Sequence, residues 1–386
     1  MASKSVSVQE VLDASPVVSS YQIWICFVCF LVTFLDGFDL TVIGLALPKI
    51  AEFLHAKHGA MGLAMSAGLV GAGIGSVVLG MLADRVGRKR MLIFSALVFG
   101  VFSFLTVFIT SPGQLALYRF IAGLGLGGTT PNAVAFGAEY APARLRKTFA
   151  ATMFAGIPAG SALSGILGAW FIPHFGWQSL FVFGGIAPII IAVLAAAILP
   201  ESLEFLVTKG KEKAQIRTIV AKIAPALAKA DQLEVYPSQK KLPGVPVKNL
   251  FTEKRAAMTV LFWLVLIASY YFTFIPVVWA PTLLHKSGAT VAQYSLAYAA
   301  LNVGSIVAAI AIGRLMDWGS PYVILPIAFI LGFVSLIAFG WFAGAGFLVA
   351  ALLCVGMGLT VCGSQAGTVT LTAVSYQVDI RGTALG

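Results

Sequence analysis

Long apolar stretches alternate along this chain with short turns rich in glycine, proline and charge. A helix needs roughly 20 apolar residues to cross the hydrocarbon layer of a membrane. The pattern predicts such spans at Tyr21–Leu47, Gly59–Ala83, Met91–Thr110, Gly113–Ala138, Thr148–Ile172 and Trp177–Leu199. After a polar stretch from Pro200 to Arg255, further spans are predicted at Ala256–Pro281, Val291–Gly313, Pro321–Trp341 and Ala343–Thr372, and another begins at Thr383, beside the last residue, Gly386. The first span is too long for a secretory signal, carries Asp36 and Asp39 and lacks a small-residue cleavage site, so it stays in the protein.

Composition removes the soluble alternatives. Hydrophobic residues make up 59% of the 386 and charged residues 10%, a balance that only lipid can solvate. The net charge of +10 raises the question of nucleic acid, and its placement answers it. Lys4, the turn Arg85, Arg88, Lys89 and Arg90, the turn Arg144, Arg146 and Lys147, the 200–255 segment, Arg314 and Arg381 fall on one side of the threading. Lys49, Lys57 and Lys286 fall on the other. By the positive-inside rule the N-terminus and the central loop are expected in the cytoplasm and the spans in the cytoplasmic (inner) membrane, with the lipid bilayer as partner and no nucleic acid. Cys26, Cys29, Cys354 and Cys362 lie in predicted spans as small hydrophobes, and the C-x-x-C spacing of the first two has no second ligand pair. His55, His58, His174 and His285 form no metal constellation and there is no phosphate-binding loop, so neither a membrane enzyme nor a nucleotide-driven pump is expected, and no cofactor.

Two loops recur. Gly80-Met-Leu-Ala-Asp84-Arg85-Val-Gly87-Arg88-Lys-Arg90 follows the second span and Gly313-Arg-Leu-Met-Asp317-Trp-Gly319 the eighth, with Asp84 and Asp317 233 residues apart. Tyr140-Ala-Pro-Ala-Arg-Leu-Arg146-Lys-Thr148 follows the fourth span and Tyr376-Gln-Val-Asp-Ile-Arg381-Gly-Thr383 the tenth, with Arg146 and Arg381 235 apart. Two matches at nearly one offset point to two related six-helix halves. The expected organisation is a cytoplasmic tail (1–20), an N-terminal six-helix bundle (21–199), a cytoplasmic central loop (200–255) and an incomplete C-terminal bundle (256–386) that lacks its last two helices.

Gly80 to Arg90 resembles the signature between the second and third helices of the major facilitator superfamily. Arg119-Phe-Ile-Ala-Gly123-Leu-Gly125-Leu-Gly127 is similar to its fourth-helix motif and Pro200-Glu201-Ser-Leu-Glu204 to its sixth-helix exit. Asp36-Gly37-Phe38-Asp39 resembles the first-helix motif of the aromatic acid/proton symporters. The resemblance implies an all-α polytopic fold of two pseudo-symmetric six-helix bundles, here with about ten complete helices. It further implies uptake of an aromatic carboxylate of the benzoate or 4-hydroxybenzoate kind, driven by the proton gradient, by a monomer. Efflux or antiport of another small molecule, and a non-transporting membrane sensor, remain as alternatives. Gly156-Ile-Pro158-Ala-Gly160 matches the glycine–proline motif of superfamily antiporters only loosely, which favours symport.

The residues themselves narrow the chemistry. Each intramembrane carboxylate costs roughly 3 kcal/mol to insert, and Asp36 and Asp39, at i and i+3, share a helix face. Two such carboxylates in a poorly solvated site resist simultaneous ionisation, so the pair is expected to bind the driving proton. A first helix that is shorter or tilted would instead leave one of them in a water-filled vestibule. Arg119 is the one basic residue inside a predicted span and needs an anion. A substrate carboxylate held bidentately, the aspartates in a coupling role, or a purely structural ion pair would each satisfy it. An aromatic acid needs an aromatic wall with a few polar contacts, for which Asn132, Tyr270, Tyr271, Tyr298, Asn302 and Gln365 are candidates. Trp24 and Trp279 read as interface anchors. Gly68, Ala72 and Gly75 with Gly123 and Gly127 form small-residue faces for helix packing. Gly80, Asp84, Arg85, Gly87, Arg88, Arg90, Glu139, Arg146, Glu201 and Asp317 read as gating elements of alternating access, with Arg88 to Arg90 set to pair with Glu139 or Glu204. The plainer alternative is that this basic cluster only fixes topology.

Overall fold

The computed structural model describes residues 4–14, 17–56, 58–210, 213–228, 233–237 and 256–375. Ten long helices carry it: α1 (Ser20–Phe53), α2 (His58–Val86), α3 (Arg88–Leu105), α4 (Pro112–Glu139), α5 (Arg146–Phe175), α6 (Gln178–Ile198), α7 (Ala256–Lys286), α8 (Val291–Trp318), α9 (Pro321–Phe342) and α10. The last runs over 347–375 as Phe347–Met357, a π-helical turn Gly358–Cys362 and Gly363–Ser375. The predicted spans fall on these helices in order. Among the described residues nine helical segments are long and apolar enough to cross a membrane. α4 falls short because glycine, threonine, proline and asparagine fill its middle. Large apolar side chains such as Leu63, Val193, Ile267 and Leu348 stand exposed, as lipid solvation requires, while helices satisfy the backbone internally.

Several helices outrun their predicted ends. α1 passes through Pro48 to Phe53, and α7 continues past Pro276 and Pro281 to Lys286. Proline stops a helix in water more firmly than in a membrane protein, where neighbouring helices satisfy the carbonyls it frees.

By internal packing the chain falls into two compact units: Met1–Asp39, Leu54–Gly160 and Phe181–Lys241 form the first, and Leu40–Phe53, Ser161–Leu180 and Leu242–Gly386 the second. In the first unit α2 and α4 approach until only small residues fit. A Cβ on Gly123 would overlap the Gly68 carbonyl, and one on Gly127 the Ala72 carbonyl, so the expected small-residue faces meet. The described residues of the tail and the central segment, read from sequence as a cytoplasmic tail and a cytoplasmic loop, include regular structure. Lys4–Ser7 (β1) pairs in parallel with Leu233–Tyr236 (β2), Lys4 opposite Leu233 and Ser7 opposite Tyr236. The helix Lys213–Ile223 buries Ile219, Val220 and Ile223 in the same core as Val8, Val11 and Leu12 of the tail.

The second unit has its core where Tyr294, Tyr298 and Leu301 of α8 meet Cys354, Met357 and Val361 of α10. The π-turn belongs to that contact: a Cβ on Gly358 would overlap the Leu301 carbonyl. Within this unit the Tyr294 hydroxyl donates to the Leu45 carbonyl at 3.3 Å, and Thr41 and Ser164 share a hydroxyl bond at 2.7 Å.

Candidate functional site

In the first unit the structure brings Asp36, Asp39 and Arg119 together. Asp39 and Arg119 are almost wholly buried, at 1% and 3% exposure. Arg119 Nη2 lies 2.9 Å from Asp39 Oδ2 as an ion-pair contact, and its Nη1 donates to Oδ1 at 3.2 Å. Ser103 of α3 donates to the same Oδ1 at 2.6 Å. One turn earlier on α1, Asp36 is only partly buried. It accepts from the hydroxyls of Thr130 and, at 3.3 Å, Thr129. Local sequence places each group. The i, i+3 spacing puts the aspartates on one face of α1, and Thr130 lies eleven residues, close to three turns, beyond Arg119 on α4. Gly37 lets that face of α1 settle against α5, since a Cβ there would overlap the Ile157 carbonyl.

Such a cluster exists only because its members compensate one another. An isolated charge at this depth is costly, whereas here the guanidinium compensates the carboxylate and Oδ1 of Asp39 receives both the Arg119 and the Ser103 hydrogen bond. Three of its members escaped the sequence reading. Ser103 sits in an apolar run, and Thr129 and Thr130 in a glycine-rich one. Hydroxyls there commonly bond their own helix, as Thr106 does to the Phe102 carbonyl at 3.0 Å.

A second cluster gathers predicted gating residues of the same unit. Gly87, at φ +116°, makes the one-residue break between α2 and α3, a conformation that favours glycine. Glu201 Oε1 then accepts from the Lys89 amide at 3.0 Å, placing a carboxylate at the N-terminus of α3, where the helix dipole favours it. Arg88 Nε meets Glu139 Oε1 at 2.5 Å, Ser202 donates to Glu139, and the Tyr140 hydroxyl donates to the Glu201 carbonyl at 2.6 Å. Burial pushes the Glu139 carboxyl above the usual glutamate range, against the lowering pull of Arg88 and Ser202. Of the remaining gating candidates, Gly80 touches nothing a Cβ would meet, and Arg85 and Arg90 are exposed. The side chains of Asp84, Arg146 and Asp317, and the repeat segment around Arg381, lie outside the described residues.

The substrate candidates separate. Asn132, in the first unit, is buried and donates to the Gly128 carbonyl at 2.7 Å. In the second unit Tyr298 and Asn302 are buried one turn apart, Asn302 donating to the Tyr298 carbonyl at 3.0 Å. Tyr270 stacks on Phe274 with ring centroids 6.5 Å apart, and Gln365 is half-buried. Tyr271, at 74% exposure, stands apart from them.

Membrane-length helices that hold a compensated charge cluster within their spans define a multi-pass membrane protein with a polar site among its helices. The Major Facilitator Superfamily model matches residues 29–386, and the chain belongs to that superfamily of transporters. It is 34% identical to a 4-hydroxybenzoate transporter of Acinetobacter baylyi, covering 98% of this chain and 83% of that protein. It is 32% identical to a gallate transporter of Pseudomonas putida, covering 98% and 84%. The fold matches the inward-open xylose transporter XylE of E. coli with a TM-score of 0.74 at 19% identity, over 94% of this chain and 85% of that one.

Proposed function

We propose that this chain is a proton-coupled symporter that takes aromatic carboxylates up across the cytoplasmic membrane by alternating access. It acts as a monomer, with its N-terminus and central loop in the cytoplasm. The observation that carries the proposal is the intramembrane cluster of Asp36, Asp39 and Arg119. A chain that only needed to pack would not gather three ionisable groups within its spans. The substrate class rests on the relatives, whose names specify 4-hydroxybenzoate and gallate. Both molecules combine a carboxylate with a hydroxylated ring.

The pairing of Arg119 with both oxygens of Asp39 favours a coupling role over a free substrate anchor, because a substrate carboxylate would have to compete with an intact internal partner. Within the second unit Tyr270, Tyr298, Asn302 and Gln365 are aromatic and amide groups of the kind such a ring and its hydroxyls would use, and within the first unit Asn132 is another. The Arg88–Glu139 pair is a gating contact that one transport state makes and the other breaks. The test is uptake of labelled aromatic acids by proteoliposomes with and without an inward proton gradient. Protein-dependent accumulation that requires the gradient supports symport, export under the same gradient supports antiport, and no movement under either condition supports a sensor.

A further inference from the structure

We propose that the two carboxylates of α1 are not equivalent: Asp39 stays ionised as the fixed counter-ion of Arg119, and Asp36 binds and releases the proton, positioned by Thr129 and Thr130. The division deepens the symport reading and rests on it for its purpose in transport, but the division itself stands on geometry.

Asp39 is the counter-ion of Arg119. Both of its oxygens face Arg119 nitrogens, at 2.9 and 3.2 Å, and Oδ1 also receives the Ser103 hydroxyl at 2.6 Å. A guanidinium only donates. A hydrogen on Asp39 would therefore face donors, and the Arg119 charge would be left buried and uncompensated.

Asp36 stands in the opposite environment. Among the described residues its hydrogen-bond partners are two hydroxyls, and part of its surface is accessible. Hydroxyls donate to a carboxylate and accept from a carboxylic acid, so the same site serves both protonation states. Thr129 can serve either state. Its hydroxyl lies 3.3 Å from Asp36 Oδ2 and 2.7 Å from the Leu126 carbonyl, so its single proton can go to an ionised Asp36 or turn to Leu126 and leave a lone pair for a proton on Asp36. Thr130 donates to the ionised form. Of the elements around the pair, α4 supplies Arg119 and the threonines, and α3 supplies Ser103. Against the α1 face, α5 presents the Ile157 backbone and α6 presents Gly184, neither of which titrates. The charged side chain that bears on Asp36 is Asp39, and Arg119 already compensates it.

The test is infrared titration of the protein reconstituted in lipid, reading the carbonyl stretch of a protonated carboxylic acid, which needs no substrate. A titrating acid band in the wild type should be lost in Asp36→Asn. It should persist in Asp39→Asn/Arg119→Gln, a double variant that removes both charges and so keeps the site neutral if Asp39→Asn alone does not fold. Thr130→Val should move the band's midpoint, a change that a merely structural threonine would not cause, and Ser103→Ala should leave it in place. A band that survives Asp36→Asn and disappears with Asp39, or no titrating band in the wild type, overturns the proposal. If the band behaves as expected while proteoliposomes show no gradient-driven uptake, the symport reading fails and the assignment of the titrating group stands.

Discussion

Arg119→Gln removes the cation that faces both oxygens of Asp39 and leaves a carboxylate at 1% exposure with Ser103 as its remaining donor. Breaking a buried pair by deleting one member costs about 3–5 kcal/mol, because the surviving charge has no compensation. A hydroxyl bond to a charged group retains about 1.5–3 kcal/mol, so the loss belongs near the lower end, about 3 kcal/mol. Asp39→Asn strands Arg119 instead and should cost a similar amount. The double variant Asp39→Asn/Arg119→Gln strands neither charge, and its amides can still bond each other and Ser103, so it should cost less than either single change. The assay is unfolding of the purified protein in mild detergent, followed by loss of helical signal. Single-variant losses that add within about 0.5 kcal/mol, the limit for independent sites, would refute the Arg119–Asp39 pair as the element that holds this part of the unit together.

Other perturbations test other contacts. Gly37→Ala places a methyl group where the Ile157 carbonyl stands, and overpacking of this kind costs about 1–3 kcal/mol; an unchanged melting temperature would show that α1 and α5 do not meet there. Glu139 supplies a pH test. Its folded-state carboxyl titrates above the ordinary value of 4.5 because of burial, so its contribution to stability is fully present below that value and is lost as pH rises through the raised one. The stability of the wild type relative to Glu139→Gln should therefore fall as pH rises from 4.5, and a difference that stayed flat or grew would contradict the burial argument.

The spans were legible because lipid imposes a single requirement, a long apolar run, on every helix that crosses it. α4 was legible in spite of its weak hydropathy, since Arg119 is the one charge that interrupts the run Gly113–Ala138. Asp36, Asp39 and Arg119 could be picked out because charge is rare in a span and each one needs a partner. The sequence left the partner of Arg119 open between a substrate carboxylate and the aspartates, and the structure sets it against Asp39. Ser103, Thr129 and Thr130 carried no such signal, because a hydroxyl in a helix can always return to its own backbone. The pairing of β1 with β2 was equally hidden, as two four-residue strands some 225 residues apart have no periodicity that relates them. The aromatic candidates on α7 show the limit of spacing arguments. Tyr270 and Tyr271 are adjacent and therefore point in different directions, Tyr270 at 46% exposure and Tyr271 at 74%.

The claim of proton-coupled aromatic acid uptake is tested most directly by the initial rate and extent of 4-hydroxybenzoate entry into proteoliposomes as the inward pH difference is varied. Protein-free liposomes and Asp36→Asn are the controls, because the neutral acid also crosses lipid unaided. One proton moved with each anion predicts protein-dependent uptake whose limiting accumulation rises about tenfold for each unit of pH difference, the factor equivalent to about 1.4 kcal/mol, with no protein-dependent component in Asp36→Asn. Uptake equal to that of protein-free liposomes at every gradient, or protein-dependent uptake indifferent to the gradient, would contradict it.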